Sequence, residues 1–591
     1  VSQDFYAFDV ESYYDRDHSV KKLGPWGYAN HDATDMYMLS VYGPDIDFCG
    51  HPDDFDLSQL NGKHLLAHNA GFDLPMVQGY TQKKNLDDFI PASVSCTADL
   101  AAFSGLPRDL AGAASVAFGE EVPKLMRNWM SGKSWAHAEA KGKAPELIDY
   151  CRRDSIYCHR LWQGFEHAWP AFERKLSAHT RLLKYRGVKV DKDLLAKGIE
   201  QLKRVKENAA KLIPWAGDET KNTLSLAVMR EVCRPLGINP PKSMAKDSPE
   251  YQIWADKHKE QFPFIHAISD YRRSNMLLRK LEAIEIRLRV DGTIPIDLKY
   301  HGAHTGRWSG DAGVNMQNLP RGEMYGVNLR HLFVPRDGHK FVIVDLSQIE
   351  PRVLYWLSGD EPMLERLRQD EPLYQAHAKA TMNWKGDGRL KDVDPRLYRL
   401  AKARVLGLGY GCGPAKFMSV AKTMADIELA EPIAKQVVSA WRSSNPKITN
   451  YWRQLEALAH DAKGQRNDFT LALPSGRNMN WFNPRPDPED TNALLMDTIR
   501  AGRSLYFWGG KITENVVQGV SRDVFAENIL SVEDAGIKIL WHCHDELICE
   551  VRTEDADDAL AAITKIMSTP PAWAEGLPLA CVGAVHDRYD K

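Results

Sequence analysis

The sequence predicts a multidomain protein of the α/β (α+β) class, and three observations carry that reading. At 591 residues the chain is too long for one hydrophobic core and must divide into several units. Short apolar runs that contain or end in an acid, FYAFDVES and FVIVD, read as buried strands. Long stretches of helical periodicity, such as LLAKGIEQLKRVKENAAKLI, supply the helices between them. A hydrophobic content of 43% and a charged content of 26% describe an ordinary globular chain without compositional bias or a fixed-period repeat.

Charge and cysteine usage exclude several classes. Lys and Arg total 76 against 79 Asp and Glu, so any nucleic-acid surface must be local rather than announced by net charge. Nine cysteines without a CxxC pair argue against both a disulfide framework and a zinc site. No run approaches 18 apolar residues, and the opening VSQDFYAFDVESYYD is acidic where a signal peptide is basic. The expectation is a cytoplasmic protein with no membrane partner.

Residues 1 to 165 gather acids. FYAFDVES puts Asp9 and Glu11 on one face of a strand. HLLAHNAGFDLPM gives an apolar run, a turn, and Asp73 opening a helix; APELIDYCRRDSIYCHRLW is a helix with Tyr150 and Asp154 four residues apart on one face. Singly, each is an ordinary solvated or capping acid. Together, four carboxylates and a phenol match the needs of a two-metal phosphodiester hydrolase. Their order, D-x-E, NAGFD and YCRRD, resembles the three exonuclease motifs of the DnaQ-like proofreading domain of DNA polymerases. That resemblance implies an RNase H-like 3′–5′ exonuclease domain over residues 1–165. It implies metal ligation by Asp9, Glu11 and Asp154, support of the second ion by Asp73, and a water oriented by Tyr150 with Glu11.

Residues 166 to 299 are helical, interrupted at INPPKSMAKDSPE; the helix from ISDYRRSNMLLRKLEAIEI carries Arg272, Arg273, Arg279 and Lys280. Such a row is either a solvated face or a phosphate-binding one.

From residue 300 a second acidic cluster is assembled from distant segments. Phe341 to Val344 form a buried strand ending at Asp345, and a helix begins near Glu350, with Pro351 in its first turn. In ILWHCHDELICEV, apolar alternation on both sides of Cys543 to Asp545 predicts a hairpin with His544, Asp545 and Glu546 at its tip. An Asp-rich tip serves equally as a plain turn or as a ligand facing Asp345. Asp394 and Pro395 predict an N-cap and first helical residue. In that helix Arg399, Lys402, Leu406 and Tyr410 share a face suited to a triphosphate at one end and a base at the other. Gly407, Gly409 and Gly411 weaken it and fit either close approach of another molecule or a helix end. HTGRWSG, NMQNLPR and ENVVQGVSRD place Arg307, Gln317, Asn318, Gln518 and Arg522 where long polar donors could reach minor-groove acceptors.

These motifs, in this order, resemble the catalytic domain of family A, or DNA polymerase I type, DNA polymerases: DLSQIEPR looks like motif A, KARVLGLGYG like motif B and HDE like motif C. The resemblance implies a right-hand fold with thumb 166–299, palm 300–360 and 500–591, and fingers 361–499. It implies metal ligation by Asp345, Asp545 and the Leu346 backbone, with Glu546 beside them. Lys402 or Arg399 would take the nucleotide phosphates, while Gln348, Leu406 and Tyr410 would line the nucleotide site. Glu350 would exclude a 2′-hydroxyl, and Arg307, Gln317, Asn318, Gln518 and His544 would touch DNA. The cofactors implied are two Mg²⁺ ions at each site, with Mn²⁺ able to substitute. The partners implied are primer-template DNA, dNTPs and phage replisome proteins in an infected host's cytoplasm.

The chain departs from the family in three places: Tyr398 stands where an Arg is usual, Leu406 where an aromatic is usual, and Leu346 where Tyr is common. GGKITENVVQGVSRD and WRSSNPKI look like the bacteriophage subgroup, and the segment from Ser475 to Gln518 is long enough for an inserted hairpin. A single-subunit RNA polymerase and a silent DNA-binding scaffold are the rivals; Glu350, Glu546 and the intact acidic clusters favour DNA synthesis.

Overall fold

The computed structural model describes every residue except 1–3, 88, 219, 245–247, 312–313, 466, 492, 501, 503 and 591. The break predicted at 238–250 therefore falls partly outside the described residues. No helix among them is long and apolar enough to cross a membrane.

The amino-terminal unit is a mixed five-stranded sheet. Its strands are β1 (Phe5–Ser12), β2 (Met36–Tyr42), β3 (Asp47–Gly50), β4 (His64–Ala67) and β5 (Ser93–Cys96), in the order β3-β2-β1-β4-β5. β1 is central, antiparallel to β2 but parallel to β4, so both its edges are paired. Tyr6, Phe8 and Val10 on one face and Ala7 on the other are buried, as expected of a strand packed on both sides. Helix α1 (Ala70–Lys84) starts just after β4, and α2 (Ala144–Phe165) packs on β1 and β2. A bond between Ser155 Oγ and Ser40 Oγ at 2.7 Å ties α2 to β2.

No long linker follows. α2 ends at Phe165 and α3 (Ala171–Arg186) begins five residues after Glu166. Trp162 and Trp169, both buried, meet edge-on with ring centroids 6.3 Å apart. One continuous apolar core runs from this junction into the rest of the chain. Helices α4 (Lys192–Leu212) and α5 (Pro263–Ile286) then pack along each other, burying Leu195, Ile199 and Leu202 in the same core as Leu277 and Leu281.

A second sheet forms the carboxy-terminal floor. Strand β6 (His339–Leu346) leads into α6 (Ile349–Ser358). Beyond them come α7 (Pro395–Leu408) and α8 (Pro414–Ala425). The side chain of Asp394 accepts from the Leu397 N–H at 2.9 Å, which is the cap that the Asp-Pro pair predicts. With β7 (Phe469–Ala472) before it, the segment from Ser475 to Gln518, expected to hold a hairpin, supplies three strands, β8 (Asn478–Pro486), β9 (Leu494–Asp497) and β10 (Ser504–Phe507), to a four-stranded antiparallel sheet. β9 and β10 have four residues each, too few for the sequence pattern to separate them. The 26-residue α9 (Gly509–Asp534) follows, then β11 (Ile539–Cys543), β12 (Glu546–Arg552), α10 (Ala556–Ser568) and β13 (Cys581–His586). The floor order is β11-β12-β6-β13. Phe341 to Val344 are no more than 1% exposed.

The inserted sheet reaches the amino-terminal unit. The Arg500 N–H donates to the Gly105 carbonyl at 2.9 Å, and Arg500 stacks on the Phe482 ring at 4.4 Å. Gly105 has φ +72°, and a Cβ there would stand 2.4 Å from that ring, so only glycine satisfies both the backbone and the contact.

Candidate active sites

The first site lies where β1, α1 and α2 converge. Asp9, Glu11 and Asp154 offer ligand atoms all within 4.8 Å of one another. Asp73, in the first turn of α1, is 2% exposed, and Tyr150 is buried one helical turn before Asp154. Asp73 Oδ2 and Asp154 Oδ1 are buried without a hydrogen-bond partner, the state of acceptors that fit a cation. Burial first, and then the charges of Asp154 and Asp73, raises the Asp9 carboxyl well above its usual range. Glu11 is pushed up to about 8 by burial and then by Asp154, and Asp154 to about 6 by burial. Acids that resist ionisation together are those that a divalent ion would relieve. The sequence missed Cys151, whose thiol sits 3.6 Å from Asp9 Oδ2; nothing in the motif spacing marks it.

The second site is built by the floor sheet. Asp345 at the end of β6 pairs across the strands with Glu546 of β12, and the Leu346 N–H donates to the Asp545 carbonyl at 3.0 Å. The two-residue turn puts His544 at φ 59°, the left-handed region that this hairpin geometry requires and His tolerates better than most residues. Asp545 is thereby aimed at Asp345. Burial, then the Asp345 charge, pushes its carboxyl up to about 7. These acids line a cleft of about 360 Å³ with Gln317, Asn318 and His544, as the sequence expects, and with Arg321, Arg330 and Tyr589, which it does not. The Tyr589 hydroxyl donates to Glu546 Oε1 at 3.0 Å; it arrives from the chain end, where no pattern flags it.

Glu350 opens α6 and forms an ion pair with Arg307. Gln348, just before it, has φ 50°, a strained position for a non-glycine residue that accompanies functional sites. Tyr410 lies beyond the end of α7 rather than on its helical face. Its buried hydroxyl makes no hydrogen bond of its own, and burial, then the Glu350 charge, raises the phenol. Lys402, half-buried, makes no ion pair or hydrogen bond among the described residues. Leu406 is also half-buried on α7. His544 lies near Arg307 and the Gln317 backbone, and burial followed by Arg307 lowers its imidazole.

Other expectations change. Arg522 cannot read a groove: it is 2% exposed and paired with Glu173 at 2.5 and 2.7 Å, because the α9 face it occupies is packed under α3. The Arg399 Nε–H donates to the Ala425 carbonyl at 3.1 Å, holding the end of α8, while Lys402 on the same face has no protein partner among the described residues. The Gln518 amide bonds Glu514 Oε1 at 3.3 Å. Lys280 donates to the Asn318 carbonyl at 3.1 Å instead of standing wholly in solvent. Gly407 and Gly409 face Val420 and Leu354, so internal packing explains them.

Comparison with known proteins agrees with this geometry. The model for DNA polymerase family A matches residues 193–472. The DNA polymerase of Bacillus phage SP02 is 27% identical over 596 aligned positions, covering 89% of each chain. DNA polymerase I of Chloroflexus aurantiacus is 24% identical over 87% of this chain and 55% of its own. The thermostable DNA polymerase I of Thermus aquaticus is 25% identical over 66% and 45%. The chain thus spans about half the length of these two bacterial relatives. The POL domain of Pol1 from M. smegmatis, solved in complex with DNA primer-template and dNTP, shares the fold at a TM-score of 0.65 and 18% identity, covering 100% of this chain and 96% of that one. The ordered motifs, the paired acids of the floor sheet and these relatives agree: the chain is similar to DNA polymerase family A over residues 193–472 and to a phage DNA polymerase over 89% of its length.

Proposed function

We propose that this protein is a template-directed DNA polymerase of the phage replicative kind that also degrades DNA from the 3′ end. The observation that carries the reading is the meeting of Asp345 and Asp545, 200 residues apart in sequence, in one buried-edged cleft. We assign thumb to 166–299, palm to 300–360 and 500–591, and fingers to 361–499, with the exonuclease over 1–165.

At the polymerase site Asp345, Asp545 and the Leu346 carbonyl would hold two Mg²⁺ ions, which supply charge neutralisation for in-line attack of a primer 3′-oxygen on the α-phosphorus. Lys402 binds the nucleotide phosphates and stabilises the charge that develops on them. Glu350, held by Arg307, fills the space a 2′-hydroxyl would need, while Gln348, Leu406 and Tyr410 line the sugar and base. His544, Gln317, Asn318 and Gln518 contact the duplex. At the exonuclease site Asp9, Glu11 and Asp154 would hold the corresponding pair, with Asp73 beside the second ion; Tyr150 and Glu11 orient the attacking water. DNA, dNTPs and replisome proteins of an infected cell are the partners this role requires.

A primer-extension time course in Mg²⁺, with and without dNTPs, tests both activities together. Extension with dNTPs and shortening without them is expected; preference for rNTPs, or no extension, refutes the polymerase assignment.

A further inference from the structure

The reaction as proposed leaves unexplained why an inserted sheet ends beside the nucleotide site. Trp508 follows β10 in extended conformation, φ −143° and ψ 167°, and its ring is 47% exposed, a large apolar surface to leave in water. Its place is fixed by a glycine pair. A Cβ on Gly510 would stand 2.3 Å from the Tyr410 carbonyl oxygen, and one on Gly411 would stand 3.5 Å from the Trp508 indole nitrogen. The indole is therefore held against the turn that carries Tyr410, whose hydroxyl looks towards Glu350.

Charge around this turn is uneven. On one side, exposed Lys416 and Arg442 lie close enough to act on Cys412, the residue after Gly411. On the other, along β10, the hydroxyl of exposed Tyr506 donates to Asp487 at 2.5 Å, with Glu489 and Asp490 beside it. A polyanion passing Trp508 is attracted on the first side and repelled on the second.

We infer that the exposed indole of Trp508 is a stacking platform for the first unpaired base of the template strand, with Lys416 and Arg442 holding the adjoining phosphates. The inference rests on the polymerase reading. Stacking on an aromatic face suits a template because every base offers a π-surface, so position is controlled without reading sequence. The inserted sheet gains a role: it sets the indole at the nucleotide site while its acidic edge keeps the strand from straying along β10.

The test uses the full-length protein with primer-templates carrying 2-aminopurine at the first or second unpaired template position, compared with a blunt duplex. With the natural residue, 2-aminopurine fluorescence is expected to be quenched, and the overhang should tighten binding. Trp508→Ala should lose about 5- to 150-fold of that overhang advantage and most of the quenching. Trp508→Phe should retain the larger part of both, and Tyr506→Ala should match the unaltered protein. Unchanged shortening of single-stranded DNA by Trp508→Ala serves as the check on folding. The inference is overturned if Trp508→Ala keeps both the quench and the overhang advantage, or if it weakens blunt duplex equally. It is also overturned if overhang DNA leaves the indole of the unaltered protein unperturbed, an outcome that assigns this surface to a protein partner. Failure of the unaltered protein to extend a primer sinks the polymerase reading itself; extension with an unaffected Trp508→Ala variant sinks only the stacking role.

Discussion

Glu173→Gln removes one charge from a deeply buried ion pair next to the floor sheet, in which Arg522 also meets Asp523, and leaves the shape intact. Glu173 of α3 accepts two bonds from Arg522 of α9 and a third from the Tyr300 hydroxyl at 2.6 Å, while Arg522 also donates to the Gly306 carbonyl at 3.0 Å and stacks on Trp308 at 4.8 Å. Both charged residues are at most 4% exposed. Against the cost of burial, the Arg522 charge and hydrogen bond hold the Glu173 carboxyl at about 2, below its ordinary 4.5. By linkage that depression is worth roughly 3 kcal/mol at neutral pH, and breaking a buried pair by removing one partner costs about 3–5 kcal/mol. The two estimates meet near 3 kcal/mol. Because the folded value lies below the unfolded one, the stabilisation is fully present above about pH 4.5 and is lost as pH falls towards 2. Urea unfolding of both proteins, followed by tryptophan fluorescence across pH 7 to 3, should show a gap of that size at pH 7, under half as large at pH 3. A gap below about 1 kcal/mol at pH 7, or one that does not shrink in acid, refutes the reasoning.

Asp345→Ala and Asp545→Ala are each expected to slow extension by roughly a thousandfold, about 4 kcal/mol of barrier, while sparing 3′ degradation; Asp9→Ala should do the reverse, as labelled-primer gels will show. Chelation should abolish both activities and Mg²⁺ restore them. Since Glu11 and Asp154 sit near about 8 and 6 in the ion-free protein, Mg²⁺ must displace protons there. Degradation should weaken as pH falls from 8 to 6, with proton release visible by calorimetry in two buffers. Glu350→Ala is expected to raise ribonucleotide incorporation by roughly 10- to 200-fold, the scale of filling or emptying a methylene-sized space, measured by single-turnover insertion of rNTP against dNTP. Dideoxynucleotides should be poor chain terminators because Leu406 has no hydroxyl to replace the missing sugar contact; efficient termination in a sequencing-type assay counts against this.

What the sequence made legible was local. The cap at Asp394, the strand running into Asp345 and the hairpin tip at His544 each depend on neighbours in the chain, and the structure has all three. Helical spacing also puts Gln518 and Arg522 on one side of α9, but spacing says nothing of what that side meets. Glu173, 349 residues away, claims Arg522, so a residue read as a DNA contact became a buried structural tie. Spacing likewise did not show that the Arg399 Nε–H donates to the Ala425 carbonyl at the end of a separate helix. Tyr589 and Arg330 entered the cleft unannounced, because both reach it through contacts between distant segments; β13, just before Tyr589, pairs with β6 from the far end of the floor's sequence. The segment from Ser475 to Gln518 was recognised by length alone, and length does not distinguish two strands from three.

The contacts between Gly105 and Arg500 and between Arg108 and the Tyr300 carbonyl at 2.9 Å brace the amino-terminal unit against the rest of the chain at two separate points. On the proposed assignment of a degrading cleft to that unit, a mispaired primer end would make the journey from one cleft to the other by its own melting and swinging. Editing would then be governed by how readily the last few base pairs open, the duplex itself being the gauge that decides between adding a nucleotide and removing one.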